Sequence, residues 1–195
     1  MSQYQNESLT GREFQAICKD RCGEYKKIGI ATVSEYGVQG VFADGKWMPI
    51  QSYPDFEGVS VSGHQFMFDA KVCSGSSFAL GPYRQDTRAP KTRQLRHMRN
   101  RAAFNVPAFF LIHWNERQLK KATYEPQTFI FAIEDNEFWD DFDAARSLSI
   151  TREDCDRWGV KVAWNILGKS RTYRPDFFPP VQERIENGHW SFVGV

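Results

Sequence analysis

Asp55, Asp69 and Lys71 carry the plainest chemistry in this chain. Carboxylates hold a hard divalent cation through oxygen, and a lysine beside them can stabilise a developing anion or hold a water. Two carboxylates and a lysine are the minimum set for metal-assisted phosphodiester hydrolysis. The same residues also fit the solvated face of a half-exposed hairpin. Geometry separates the two readings, because YPDFEGVSVSGHQFMFDAKVC divides at Ser62-Gly63 into two strand-like halves. A two-residue turn there pairs Asp55 with Ala70 and sends the carboxylates to opposite faces. A three-residue turn over Ser62, Gly63 and His64 pairs Asp55 with Lys71 and keeps Asp69 on the same face. The chemistry therefore requires an odd-length turn or an equivalent bulge. On that register Glu57 falls opposite Asp69, and three carboxylates around one lysine would need a cation to offset their repulsion.

The flanking elements follow from periodicity. Phe14, Ile17, Cys18 and Cys22, with Tyr25 beyond, recur at helical spacing, so a first helix is expected from Gly11 to Lys27, capped by Thr10 or Ser8 and stopped by Gly29. IATVSEYGV reads as a strand, and residues 36–52 hold turn signals expected of a hairpin or projecting excursion. In the second half of the acidic hairpin, Phe66, Phe68, Ala70 and Val72 alternate with Gln65, Met67, Asp69 and Lys71, predicting one core face and one polar face. Thr92 is expected to cap a helix from about Arg93 to Phe104, ended by Asn105-Val106-Pro107. VPAFFLIHW reads as a strand buried on both faces, QTFIFAIE as another strand, and EFWDDFDAARSL and TREDCDRWG as short helices. The tail from Lys169, with Pro175, Pro179 and Pro180, is expected to be irregular. This order predicts an α/β fold, a mixed sheet with helices on its faces, forming one domain over 1–195 with a core at about 10–135 and C-terminal helices and tail at 136–195.

The 195 residues are 41% hydrophobic and 25% charged, with a net charge of +1, enough to bury a core. No apolar run approaches the ~18 residues of a membrane span, and MSQYQNESLTGREF lacks the pattern of a secretory signal, so a cytoplasmic protein is expected. Charge is unevenly spread. Between Gly81 and Asn105 seven bases (Arg84, Arg88, Lys91, Arg93, Arg96, Arg99, Arg101) face one acid, Asp86; between Glu134 and Asp156 nine carboxylates face Arg146 and Arg152. Either these are two solvated helical faces, or one side of the protein attracts a polyanion and the other repels it.

Cys18 and Cys22 stand i and i+4 on a helix and could share a zinc, but Cys73 and Cys155 show no paired spacing, which favours buried thiols. His64, His97, His113 and His189 are scattered, and His113 reads as a core histidine. Trp139, Trp158 and Trp164 read as core. No Walker loop, dinucleotide fingerprint or nucleophile elbow is present.

The pattern Pro54-Asp55, then Asp69-Ala70-Lys71, resembles the signature of the PD-(D/E)XK nuclease superfamily. The longer run PDFEGV, FDAKVCSGSSFAL and QLRHMRNRAAFNVPAFFLIHW, over residues 54–114, is similar to RecU-type Holliday junction resolvases and their phage relatives. That resemblance implies a restriction-endonuclease-like fold with Asp55, Asp69 and the Ala70 carbonyl as metal ligands, Lys71 as the catalytic lysine, and Gln94 positioning water or phosphate. The family also places a glutamate on the first helix, where this chain has Gly11-Arg12-Glu13-Phe14-Gln15. Glu13 and Gln15 stand about 200° apart around a helix, so only one can face the site. Either Glu13 serves as the helix carboxylate, or the chain lacks it. The excursion at 36–52 stands where the family carries a junction-entering stalk, but it is short and holds Lys46 as its only base.

On this reading the basic segment gains a role. Arg93, Arg96 and Arg99, spaced i, i+3, i+6, with Lys91 and Arg88 ahead of them, are expected to neutralise phosphates beside the cleavage site. The implied activity is a Mg²⁺-dependent endodeoxyribonuclease, with Mn²⁺ as a substitute, resolving branched or four-way DNA in recombination or repair as a homodimer in the cytoplasm, nucleoid-associated or in a host cell if phage-encoded. The alternatives are another repair or phage DNA-processing nuclease, or an inactive DNA-binding relative.

Overall fold

The structure, a computed structural model, describes residues 8–36, 40–43, 45–49, 53–84, 89–118, 123–134, 136–167 and 172–186. Arg88, Asp86, Asp135 and His189 lie outside them. Helix α1 (Gly11–Ile28) begins at a Thr10 cap and ends at Gly29, whose φ of 76° closes the last turn. Strand β1 (Ala31–Glu35) follows, then a two-stranded antiparallel hairpin, β2 (Gly40–Ala43) with β3 (Lys46–Pro49), which is the expected excursion. Next come β4 (Phe56–Ser60), β5 (Gln65–Cys73), β6 (Ser77–Ala79), α2 (Pro90–Ala102) and β7 (Ala108–Trp114). The remainder is β8 (Arg117–Gln118), β9 (Thr123–Tyr124), β10 (Gln127–Ala132), α3 (Glu137–Asp143), β11 (Ser149–Thr151), α4 (Arg152–Trp158), β12 (Val160–Val162), β13 (Trp164–Asn165), β14 (Arg174–Pro175) and α5 (Phe178–Glu186). Among the described residues no helix is long and apolar enough to cross a membrane.

The fold is mixed α/β, as expected. Six strands form one sheet in the order β1-β4-β5-β7-β10-β12, with every neighbour pair antiparallel except β5 and β7. A parallel pair needs a crossover, and α2 supplies it. One apolar cluster packs α1, α5 and the inner residues Phe66, Phe68 and Ala70 against one face of the sheet. A second packs α2, α3 and α4 against the other, through Met67, Leu95, Met98, Phe110, Trp139 and Cys155.

Three expectations need correction. The Met67/Asp69 face of β5 is not a polar outer face: both residues are fully buried, because α2 and the 3-10 turn Gly81–Arg84 cover it. Thr92 does not cap α2. The cap position is Ala89, without a side-chain bond, and Pro90 starts the helix, where its fixed φ and missing N–H cost nothing. Over 172–186 the C-terminal segment is not irregular, while 169–171 and 187–195 lie outside the described residues. β13 pairs with β14, and Pro179 and Pro180 sit in the first turn of α5, which tolerates them, while Phe177, Phe178 and Val181 enter the core fully buried. A buried arginine ties this segment to α1: Arg21 donates to the carbonyls of Asn165 and Arg174, and Arg174 pairs with Glu24 at 2.7 Å.

Candidate active site

The β4–β5 turn decides whether two carboxylates can meet. The Ser60 N–H donates to the His64 carbonyl at 2.9 Å, which leaves Val61, Ser62 and Gly63 as a three-residue loop. Gly63 has φ 83°, a conformation that favours glycine. The turn is odd-length, as the chemistry requires, but shifted one residue from the expected one. Val59 pairs with Gln65 and Phe56 with Phe68, so one step further along the ladder Asp55 faces Asp69. The same shift corrects Glu57: it stands opposite Met67, accepts from the Tyr36 hydroxyl and lies 3.8 Å from Arg101, away from Asp69.

Asp55 is fixed from three sides. Its carbonyl accepts the Tyr36 N–H at 2.9 Å, and its Oδ2 accepts the Ala70 N–H at 3.0 Å and the Gln15 side-chain amide at 2.9 Å. The Ala70 N–H thus finds a side-chain oxygen where a continued ladder would offer backbone. That continuation would put Pro54 opposite Ala70, and a proline has no N–H to donate to the Ala70 carbonyl.

Asp69 is fully buried. Lys71 Nζ lies 2.7 Å from its Oδ2 and 3.4 Å from Asp55 Oδ2, so two carboxylates share one ammonium. Burial pushes the Asp69 carboxyl up to about 8; Lys71 pulls against this and Asp55 adds to it. Burial pulls the Lys71 ammonium down, but Asp69 and Asp55 together outweigh it and hold its pKa above the ordinary lysine value. A buried carboxylate beside a second one, with a single lysine between them, suits a cation. Among the described residues no three His, Cys, Asp or Glu side chains stand together as a metal site, so an ion here would be held by Asp55, Asp69, the Ala70 carbonyl and water.

Glu13 and Gln15 part as the helix geometry demands. Glu13 is exposed and spent on the cap, accepting the Thr10 N–H at 2.8 Å, and the structure does not bring it to the carboxylates. Gln15 is the helix residue at the site. Gln94 is buried and donates to the Tyr53 carbonyl at 2.9 Å, so it fixes the backbone two residues before Asp55. Tyr83, which spacing did not single out, is also present: its buried hydroxyl has no hydrogen-bond partner among the described residues, and burial together with the charges of Asp69 and Asp55 raises its pKa. Only its isolated place after Gly81-Pro82 sets it apart in the sequence.

The basic helix and the acidic segment do not form opposite sides. Arg99 binds both oxygens of Asp143, at 2.7 and 2.9 Å, and lies 5.0 Å over the Trp139 ring. Lys91 sits 5.5 Å over the Tyr83 ring, and Arg96 is exposed. Cys18 and Cys22 are buried free thiols whose pKa values burial raises, a core role.

No family model matches this chain, and a search of curated proteins gives no match. Among solved structures it is similar to the 1.6 Å structure of Archaeoglobus fulgidus Hjc, a Holliday junction resolvase from an archaeal hyperthermophile. The identity is 15%, over 75% of this chain and 93% of that one, with a TM-score of 0.40. A likeness at that level assigns no activity to this chain.

Proposed function

We propose that the chain is a Mg²⁺-dependent endonuclease that hydrolyses DNA phosphodiester bonds, acting as a structure-specific Holliday junction resolvase in recombination or repair. The observation that carries this reading is the grouping of Asp69, a fully buried carboxylate, with Asp55 facing it and one lysine, Lys71, 2.7 Å from the first and 3.4 Å from the second. Two carboxylates that share a single ammonium in a buried setting keep an excess of negative charge that a divalent cation would offset. Asp55, Asp69 and the Ala70 carbonyl would hold the cation. When bound, it lowers the pKa of a water and offsets phosphate charge. Lys71, kept charged by its two carboxylates, then donates to a phosphate oxygen as negative charge grows in the transition state. Gln15 and the Ala70 N–H hold Asp55 in place throughout. Mn²⁺ would serve in place of Mg²⁺, and two symmetric cuts in a junction would call for a homodimer with two sites, expected in the cytoplasm.

One observation favours a second reading, an inactive DNA-binding relative: at the helix position facing Asp55 stands an amide, Gln15, rather than a carboxylate. The deciding experiment incubates an end-labelled immobile four-way junction and a matched duplex with wild type and Lys71→Ala, in Mg²⁺ and in EDTA. Paired metal-dependent nicks in the junction alone, lost in the variant, are expected. Equal cutting of both substrates would leave a nuclease of another kind, and binding without cutting under any divalent cation would favour the inactive relative.

A further inference from the structure

The parallel pair β5 and β7 ends at one rim of the sheet, where Cys73 pairs with Trp114 and the Asn115 N–H reaches the Cys73 carbonyl at 3.0 Å. Ligands of open α/β sheets gather at the carboxyl ends of parallel strands. A cavity of about 320 Å³ opens there, lined by Ser76, Trp114, Arg117, Tyr124, Arg152 and Glu153 among others. Lys71 lies two residues before the rim on β5, about 7 Å along the strand. The cavity therefore adjoins the carboxylate site but shares none of its residues.

We infer that this cavity is a subsite for one unstacked nucleotide of a DNA strand, a reading that rests on the proposed nuclease function. Its size is at the small end of ligand pockets, which run ~300–1,000 Å³, and its concave shape excludes a duplex. Arg117 and Tyr124 are direct cross-strand partners in the β8–β9 ladder, so a cation and a ring project from the same face. Tyr124 is 38% exposed, and the Arg152 guanidinium lies 5.6 Å from its ring centre while donating to the Glu125 carbonyl at 2.7 Å. That bond fixes Arg152 with one of its five N–H groups. A base stacks on the ring face away from Arg152, and its phosphate pairs with Arg117 and Arg152. Glu153 is the one carboxylate on the wall. It repels phosphate but accepts from an exocyclic amino group, which favours cytosine, adenine or guanine over thymine.

The test is fluorescence anisotropy with a fluorescein-labelled hexamer of deoxycytidine, in EDTA, so that no cleavage enters the measurement. Wild type should bind it without divalent cation. Tyr124→Leu and Arg152→Ala should each weaken binding at least ten-fold. Arg117→Ala, on the two-stranded hairpin, repeats the test if Arg152→Ala fails to fold. Affinities within two-fold of wild type in the folded variants, no binding by wild type, or equal binding of a blunt hexamer duplex would overturn the subsite. The outcome is independent of the nuclease reading: a protein that binds the hexamer through these residues but cuts nothing loses the activity and keeps the subsite, and the reverse pattern loses only the subsite.

Discussion

The Gln15 side-chain amide donates to Asp55 Oδ2 at 2.9 Å, the same oxygen that accepts the Ala70 N–H and lies 3.4 Å from Lys71 Nζ. Three donors thus converge on one carboxylate oxygen. A carboxylate at position 15 would replace one of them with like charge. Gln15→Glu should therefore lower the melting temperature in EDTA by a few degrees and bind Mg²⁺ about ten-fold more tightly, a change of ~1.4 kcal/mol. Calorimetric titration reads the affinity directly. An unchanged affinity would show that this helix position does not share the ion.

Asp69 gives the complementary case. Its carboxyl is pushed up to about 8, above the ordinary range near 4, so between those values the folded state keeps a proton that the unfolded chain has released. Its contribution to stability therefore falls as pH rises through that window. Without divalent cation, Asp69→Asn should be at least as stable as wild type, with its advantage growing from pH 5 to pH 8. With Mg²⁺ at a hundred times its Kd, wild type should gain about 2.7 kcal/mol and Asp69→Asn little. Thermal melts across pH, with and without Mg²⁺, give both comparisons.

His113 works in the opposite sense. Its ring is buried between Phe14 and Trp164, with Nδ1 2.9 Å from the Thr128 hydroxyl, whose oxygen accepts the Trp164 indole N–H at 2.9 Å. Burial, aided by the charge of Arg152, pushes its pKa down to about 4. As pH falls below the unfolded value near 6.5, the unfolded chain takes up a proton that the folded one refuses, and stability is lost until the folded pKa is reached. The loss should amount to roughly 3 kcal/mol at most. His113→Phe should flatten this arm of the denaturation profile between pH 6.5 and 4; an identical profile would mean the ring is solvated.

How far the sequence could be read depended on whether the signal was local. The Thr10 cap, the Gly29 stop and the wholly buried run from Ala108 to Trp114 follow from spacing within a few residues, and the structure has them. For Asp55, Asp69 and Lys71 spacing left both turn lengths open and stated only that the chemistry needs an odd one; the three-residue loop at Val61–Gly63, with Gly63 at positive φ, is what the structure adds. What covers β5 on its second face was not legible. Met67 and Asp69 alternate with Phe66 and Phe68 as an outer face would, and what buries them, the 3-10 turn Gly81–Arg84 and α2, comes more than ten residues later. The prolines near 180 suggested irregular chain, yet they occupy the one part of a helix that accepts them.

That C-terminal segment makes the most direct stability prediction. Phe177 and Phe178 are fully buried and pack on Tyr25 from α1, with Phe177 also 4.8 Å from the Phe68 ring. Truncating a buried phenylalanine costs about 3–5 kcal/mol. Phe177→Ala should lose that much in urea denaturation, and removal of residues 172–195 should prevent folding. A small effect would mean that α1 and the sheet hold together without α5.

Charge separation in sequence did not survive folding, and two of the four arginines on α2, Arg99 and Arg96, stand in different surroundings. Arg99 covers Trp139 and binds Asp143, joining the basic helix to the acidic one, whereas Arg96 is exposed. Because the Arg99–Asp143 pair is partly solvated, its ionic part is worth little, and most of the cost of Arg99→Ala, about 1 kcal/mol, should come from the lost cover over the Trp139 ring. Arg96→Ala should leave the melting temperature unchanged. If α2 contacts phosphate, it should weaken junction binding and reduce the slope of log K against log salt by about one. An unchanged slope for Arg96→Ala would remove α2 from the DNA interface while leaving the carboxylate site untouched, because Gln94, the α2 residue that braces Asp55, faces inward to the Tyr53 carbonyl.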